Sequence, residues 1–457
     1  MPDYMPHTEA EVASMLAFLD LESIDQLFDA IPKALQVSAG LELPGGLPEP
    51  DVSYAMEGIA RANRGAASAM VCFAGAGSYD HEVPPVVRSL AGRGEFVTAY
   101  TPYQPEVAQG MLQAIFEFQT LVSRLSGLPV ANASLYDGAA SVTEAINLAV
   151  ASSKSQVVHL STGVHPNWRA VVRTFARGTG HEIVEVPLKG GQSDFDAVAG
   201  GDHPGVIVVA QTTYLGTFDD VAAARRRADE VGAVLVVVAD PILASILKTP
   251  GSLGADVVVG EGQPLGTALS FGGPYLGLFA CSLHQVRRLP GRLVGETVDL
   301  EGRRAYVTTL RAREQDIRRE KATSNVCSNQ TLMAVTAAIQ LGWLGTHGLA
   351  EVASRCVSST RYLAEQVQSV AGVEALLPGV SVARDVAITT PIAAATVLER
   401  LADDGFLGGL AVASLASEGD GSIDPSLRER TIVMSATEKR TKAEVDALAL
   451  ALGSAIR

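Results

Sequence analysis

Residues 231–241 read VGAVLVVVADP. From Ala233 to Ala239 every residue is apolar, and the run stops at Asp240 and Pro241. A strand with one face in water alternates apolar and polar side chains; this one does not, so both of its faces are covered. Short β-branched runs recur on the amino-terminal side: MVCFAG at 70–75, VVHLS at 157–161, EIVEVP at 182–187 and GVIVVA at 205–210. The intervals between most of them are long enough for a helix. The pattern predicts an α/β fold with a mostly parallel sheet sandwiched by helices. Ligands of such sheets bind at the carboxyl ends of the strands, which is where Asp240 stands.

Further towards the amino terminus, Met15, Leu16, Leu19, Ile24, Leu27, Phe28 and Ile31 recur at helical spacing, with Thr8 and Ser23 placed as N-caps before acidic residues. LELPGGLPEPD at 41–51 reads as an irregular connector. A helical N-terminal arm and connector over 1–68 and a large domain over 69–330 follow. After Gln330 the chain turns helical, gives the strand-like pieces VEALLP and RTIVMSA, and ends in an Ala- and Leu-rich helix. A smaller C-terminal α/β domain is expected over 331–457.

The chain has 457 residues, a formal net charge of −15, 19% charged and 47% hydrophobic residues, the composition of a folded two-domain protein. Such a charge disfavours nucleic acid and anionic membranes as partners. The one dense basic stretch, Arg303 to Lys321, mixes its arginines with Glu314, Asp316 and Glu320, as on a solvated helix. Cys72, Cys281, Cys327 and Cys356 show neither disulfide nor zinc spacing, so no metal site is expected. No signal peptide or apolar run long enough to span a bilayer is visible, and a cytoplasmic location is expected.

The segment after the opening strand, DVVVGEGQPLGTALSFGGPYLG at 256–277, resembles the loop that carries the Schiff-base lysine of pyridoxal phosphate enzymes, yet it holds no lysine. That cofactor needs an amine, a carboxylate for the pyridine nitrogen, a ring to stack on it and a helix N-terminus for its phosphate. Asp240 is either the pyridinium partner or the cap of the turn before Pro241. Tyr136, Asp137 and Gly138 open a run of small residues that reads as a phosphate turn or as a plain N-cap. His165 is either a stacking imidazole or a turn residue before Pro166. The amine is missing: the seven lysines are Lys33, Lys154, Lys189, Lys248, Lys321, Lys439 and Lys442, and none falls between Lys248 and Lys321.

The blocks AYTPYQPEVAQGMLQAIFEFQTLVSRLSGLPVANASLYDGA, GVHPNWR, VVGEGQPLGTALSFGGPYLG and RREKATSNVCSNQ together resemble the first subunits of two-subunit glycine decarboxylase P-proteins, over nearly the whole chain. The resemblance implies the fold-type I pyridoxal phosphate class and a heterotetramer of two copies each of subunits 1 and 2. It implies that subunit 2 carries the pyridoxal phosphate and that this chain binds none. Gln263 then stands where the lysine would be, and Tyr136, Asp137, Gly138, His165 and Asp240 are remnants. Glycine is the implied substrate and the lipoyl arm of the H-protein the implied acceptor. Tyr100, Tyr103, Gln104 and Glu106 in the Pro-stiffened AYTPYQPE block, with Asn325 as a weaker candidate, are the residues expected to reach the partner's site. Two alternatives stay open: a purely structural or regulatory subunit, and an independent cofactor enzyme without the usual lysine.

Overall fold

The computed structural model describes residues 6–37, 43–63, 70–153, 155–197, 203–415 and 421–457. The chain divides into two compact units, Met1–Asn63 and Arg64–Arg457. In the first, helix α1 (Glu9–Phe18) is closed by a capping box between Thr8 and Glu11. Ser23 heads only a 3-10 turn, Ile24–Phe28, because the left-handed Asp20 (φ 58°) has already ended α1. Helix α2 (Glu49–Ala62) starts inside the stretch read as a connector; Pro50 in its first turn costs no hydrogen bond there. None of the residues of these three elements is buried.

The second unit is built on a seven-stranded sheet. Its strands are β1 (Val130–Ala131), β2 (Val157–Ser161), β3 (Glu182–Val186), β4 (Val206–Ala210), β5 (Val234–Val238), β6 (Val257–Glu261) and β7 (Gly277–Cys281), in the spatial order β1-β7-β6-β5-β4-β2-β3. β2 to β6 pair in parallel, while β7 runs antiparallel to both β6 and β1. Side chains alternate between two cores. Ile207, Val209, Leu235, Val237 and Val258 face helices α3 (Gln109–Ser126), α6 (Val221–Val231) and the first half of α7 (Thr331–Gln368). Val206, Val208, Val236, Val238 and Val257 face α4 (Gly138–Ser152) and α5 (Pro166–Thr179). This double burial is why the strands read as unbroken valine runs.

Two readings need correction. MVCFAG does not join this sheet: only Val71–Cys72 is strand, and it pairs with Phe406–Leu407, because Ala76 and Gly77 turn the backbone left-handed at φ 52° and 115°. The basic stretch from Arg303 is not a helix. Arg304–Thr308 pairs antiparallel with Val294–Val298, and left-handed residues at Leu310 and Arg319 break the rest into short turns. Its arginines do pair locally, Arg303 with Asp299 and Glu301, Arg311 with Asp316.

Helix α7 serves two cores. Ala334, Ala337 and Leu341 pack on the large sheet's side, and Leu363 and Val367 pack with a four-stranded antiparallel sheet. That sheet comprises β8 (Glu374–Ala375), β9 (Asp385–Thr389), β10 (Leu410–Ala411) and β11 (Thr431–Ser435), in the order β8-β9-β11-β10. The helix kinks at Gly345, whose φ of 60° and ψ of −174° few other residues adopt. Arg384, just before β9, lies beside the carboxyl ends of β4, β5 and β6.

Candidate active site

Those strand ends enclose a cavity of about 70 Å³ lined by Tyr79, His165, Trp168, Asp240, Glu261 and Arg384, among others. Ordinary small-molecule sites span about 300–1,000 Å³. Asp240 follows β5 and is fully engaged. One carboxylate oxygen accepts the backbone N–H groups of Ile242 at 2.9 Å and Leu243 at 3.0 Å, and the other pairs with Arg384. Asp240 thus caps its turn, and the cation it meets is the chain's own Arg384.

Arg384 is 2% exposed. Its guanidinium carbon lies 3.3 Å from the Tyr79 ring centroid, and it donates to His81 Nε2 at 2.9 Å. His81 in turn meets Glu438 through Nδ1 at 2.7 Å. The Tyr79 hydroxyl donates to Asp385 at 2.8 Å, and burial pushes its pKa well above the ordinary phenol range. Nothing in the local pattern marks Arg384, one arginine just before the strand Asp385–Thr389.

His165 caps α5, its Nδ1 accepting the Asn167 N–H at 3.1 Å. Burial and then the Arg169 charge push its pKa down to about 4, so the ring is neutral near pH 7. It lines the cavity beside Trp168 and Tyr214, with ring centroids 6.0 and 6.3 Å away.

Gln263 is 1% exposed, two residues beyond the end of β6. Its side-chain amide pairs with the backbone of Tyr79 in both directions, Oε1 accepting the N–H at 3.0 Å and Nε2 donating to the carbonyl at 3.0 Å. Nε2 also donates to the Thr267 carbonyl at 2.6 Å. The last residue of β6, Glu261, accepts the N–H groups of Gln263 at 2.8 Å, Leu276 at 2.9 Å and Gly138 at 2.9 Å. Desolvation outweighs these donors and pushes its pKa up to about 7. Asp137 caps α4 through the Ala140 N–H at 2.6 Å. Tyr136, Asp137, Gly138 and Gln263 do not line the cavity.

These residues do not fit pyridoxal phosphate. The amide at 263 is neither nucleophilic nor free, the N-terminus of α4 already holds a carboxylate, and Asp240 already holds a guanidinium. No lysine lines the cavity among the described residues; Lys248 and Lys321 are exposed, and Lys154 lies outside the described residues.

Residues 2–452 match the family model described as glycine cleavage system P-protein. The chain belongs to that family. It is 43% identical over 452 residues to a probable glycine dehydrogenase (decarboxylating) subunit 1 of Moorella thermoacetica, covering 98% of each chain. A relative of the same name from Desulforamulus reducens is 42% identical over 455 residues, covering 99% of each. Among solved structures, a glycine decarboxylase (P-protein) of the glycine cleavage system in inhibitor-bound form superposes with a TM-score of 0.88 at 40% identity, covering 99% of this chain and 100% of that one. The fold is that of the fold-type I pyridoxal phosphate class.

In this P-protein family chain the AYTPYQPE block lies away from the cavity, and its two tyrosines differ. The Tyr103 hydroxyl donates to Asn329 at 2.6 Å, Asn329 donates to the Ala133 carbonyl at 2.8 Å, and Arg292 stacks on the Tyr103 ring at 4.4 Å. Tyr100 is 93% exposed. It borders a wide groove of about 870 Å³ together with Arg93, Phe96, Gln104, Val107 and Met111. Gln104, Glu106 and Asn325 are exposed. Asn329 and Arg292, which sequence reasoning passed over, hold this loop; Asn329 lies within the quoted block RREKATSNVCSNQ, but only Asn325 was singled out there.

Proposed function

We propose that this chain is the cofactor-free first subunit of a two-subunit glycine decarboxylase, working in the cytoplasm as a heterotetramer with two copies of a homologous second subunit. The observation that carries the reading is Gln263, whose amide is spent on the backbone of Tyr79. On this reading pyridoxal phosphate resides in the second subunit. There it supplies an electron sink for the loss of carbon dioxide from glycine, and the aminomethyl group passes to the lipoyl arm of the H-protein.

What this chain contributes is a surface. Tyr100 presents an unpaired phenol and a flat apolar ring at the edge of a groove, suited to a small zwitterion in a desolvated pocket. Tyr103, Arg292 and Asn329 hold the loop so that Tyr100, Gln104 and Glu106 project together. The division at residue 330 into a large and a small domain belongs to the same reading: α7 begins at Thr331 and carries side chains into both cores.

The test is glycine-dependent exchange of labelled bicarbonate with H-protein present, for each subunit alone and for the mixture. Exchange is expected from the mixture only. Tyr100→Phe in an intact heterotetramer is expected to lower it about 10- to 100-fold, the loss of one polar contact made in the transition state. Full exchange by the variant would support a purely structural subunit instead.

A further inference from the structure

On the reading that this chain binds no pyridoxal phosphate, the misfit goes beyond the missing lysine to the phosphate's place. We infer that the chain's own carboxylate, Glu261, holds the place a cofactor phosphate would take, so that restoring the lysine alone does not restore the cofactor site.

The N-terminus of a helix attracts anions because its first N–H groups are unpaired within the helix. In α4 the Gly138 N–H already donates to Glu261 at 2.9 Å, and Asp137 caps the Ala140 N–H at 2.6 Å. Glu261 is not loosely placed there. It is the last residue of β6, 8% exposed, and two more backbone N–H groups hold its other oxygen. An entering phosphate would find the Gly138 N–H and its neighbours already taken by a carboxyl group held at both oxygens. The Trp168 indole also rests on the first turn of α4, since a Cβ placed on Gly138 would lie 2.3 Å from its ring.

The other end of the pocket is filled by the same logic. A pyridinium nitrogen seeks a buried carboxylate, and Asp240 offers one, but Arg384 already pairs with it while stacked on Tyr79. The interior thus holds a carboxyl group where the phosphate would sit and a cation where the pyridinium would sit. Both come from the chain, and both are buried with hydrogen bonds made. The 70 Å³ that remains is what these side chains leave over.

Two measurements on the full chain test this. In the first, Gln263→Lys is incubated with pyridoxal phosphate and reduced with borohydride. An amine condensing with the aldehyde releases water, and hydride then reduces the C=N bond to a secondary amine that peptide mass spectrometry locates. No adduct at position 263 above the level of the exposed lysines is expected, and a stoichiometric one there would overturn the inference. In the second, melting is followed with millimolar inorganic phosphate against chloride of equal ionic strength. Phosphate is expected to raise the melting temperature of Glu261→Ala by several degrees and to leave the wild type unmoved. An equal rise in both, or none in the variant, would overturn it. If either variant does not fold, the other measurement decides. A specific adduct on a lysine of the wild-type chain would instead sink the functional reading on which the inference rests.

Discussion

The cavity at the strand ends and the tyrosine loop hold similar chemical groups in opposite conditions. Around the cavity Glu261, Gln263 and Arg384 are buried, Asp240 is partly buried, and each of the four is hydrogen-bonded within the chain. On the loop Tyr100, Gln104 and Glu106 are exposed. A buried polar group must find a partner inside or lose the free energy of its hydration, so a pocket that has lost its ligand is stable only when the chain refills it. Exposed groups face no such demand. The interior therefore describes what holds this subunit together, and the loop keeps its polar groups exposed.

The sharpest way to break this contrast is Arg384→Met. It leaves Asp240 without its buried cation and Tyr79 without its stacked guanidinium, and about 3–5 kcal/mol of stability should be lost in urea denaturation. A loss under about 1 kcal/mol would mean that the backbone N–H groups of Ile242 and Leu243 serve Asp240 unaided.

Gln263→Leu is next. It strands the N–H of Tyr79, while the carbonyl keeps the His81 N–H at 3.1 Å, and about 1–3 kcal/mol is expected, with faster hydrogen exchange in the peptide around Tyr79. Unchanged exchange there would show that the segment is held by Tyr79–Asp385 and Arg384 rather than by the amide.

Glu144 is one of several exceptions in the interior. It lies on α4, 6% exposed, with one carboxylate oxygen unpaired, and burial pushes its pKa up to about 7. Its folded value lies above its unfolded one, so the stability it contributes is present below about pH 4.5 and is lost as pH rises through about 7. Glu144→Gln should remove that dependence and stabilise the chain at pH 8 by at most about 3 kcal/mol. Parallel stability curves against pH for the variant and the wild type would contradict it.

The smallest effect belongs to the loop. Tyr100→Phe should change the stability of the isolated chain by less than about 0.5 kcal/mol. A larger change would give Tyr100 a structural partner that the contrast denies it.

The double-sided sheet was legible because burial on both faces forces unbroken apolar runs, and Asp240 was legible because it ends one of them. The failure of MVCFAG to join the sheet was not, since two residues of strand look the same in either pairing. Arg384 and Glu261 were invisible for a different reason. Their partners Asp240 and Gly138 lie 144 and 123 residues away in the chain. Local periodicity carries no record of such contacts. Gln263 was found only by counting from the GGP turn, and what it does, holding Tyr79, depends on a loop 184 residues earlier.

The most direct test of the central claim is cofactor trapping in the assembled enzyme. The wild-type chain is mixed with its second subunit and pyridoxal phosphate, reduced with borohydride, and every modified lysine is located by peptide mass spectrometry. The account predicts a stoichiometric adduct on the second subunit and none specific to this chain. A stoichiometric adduct on Lys248, Lys321 or any other lysine of this chain would contradict it.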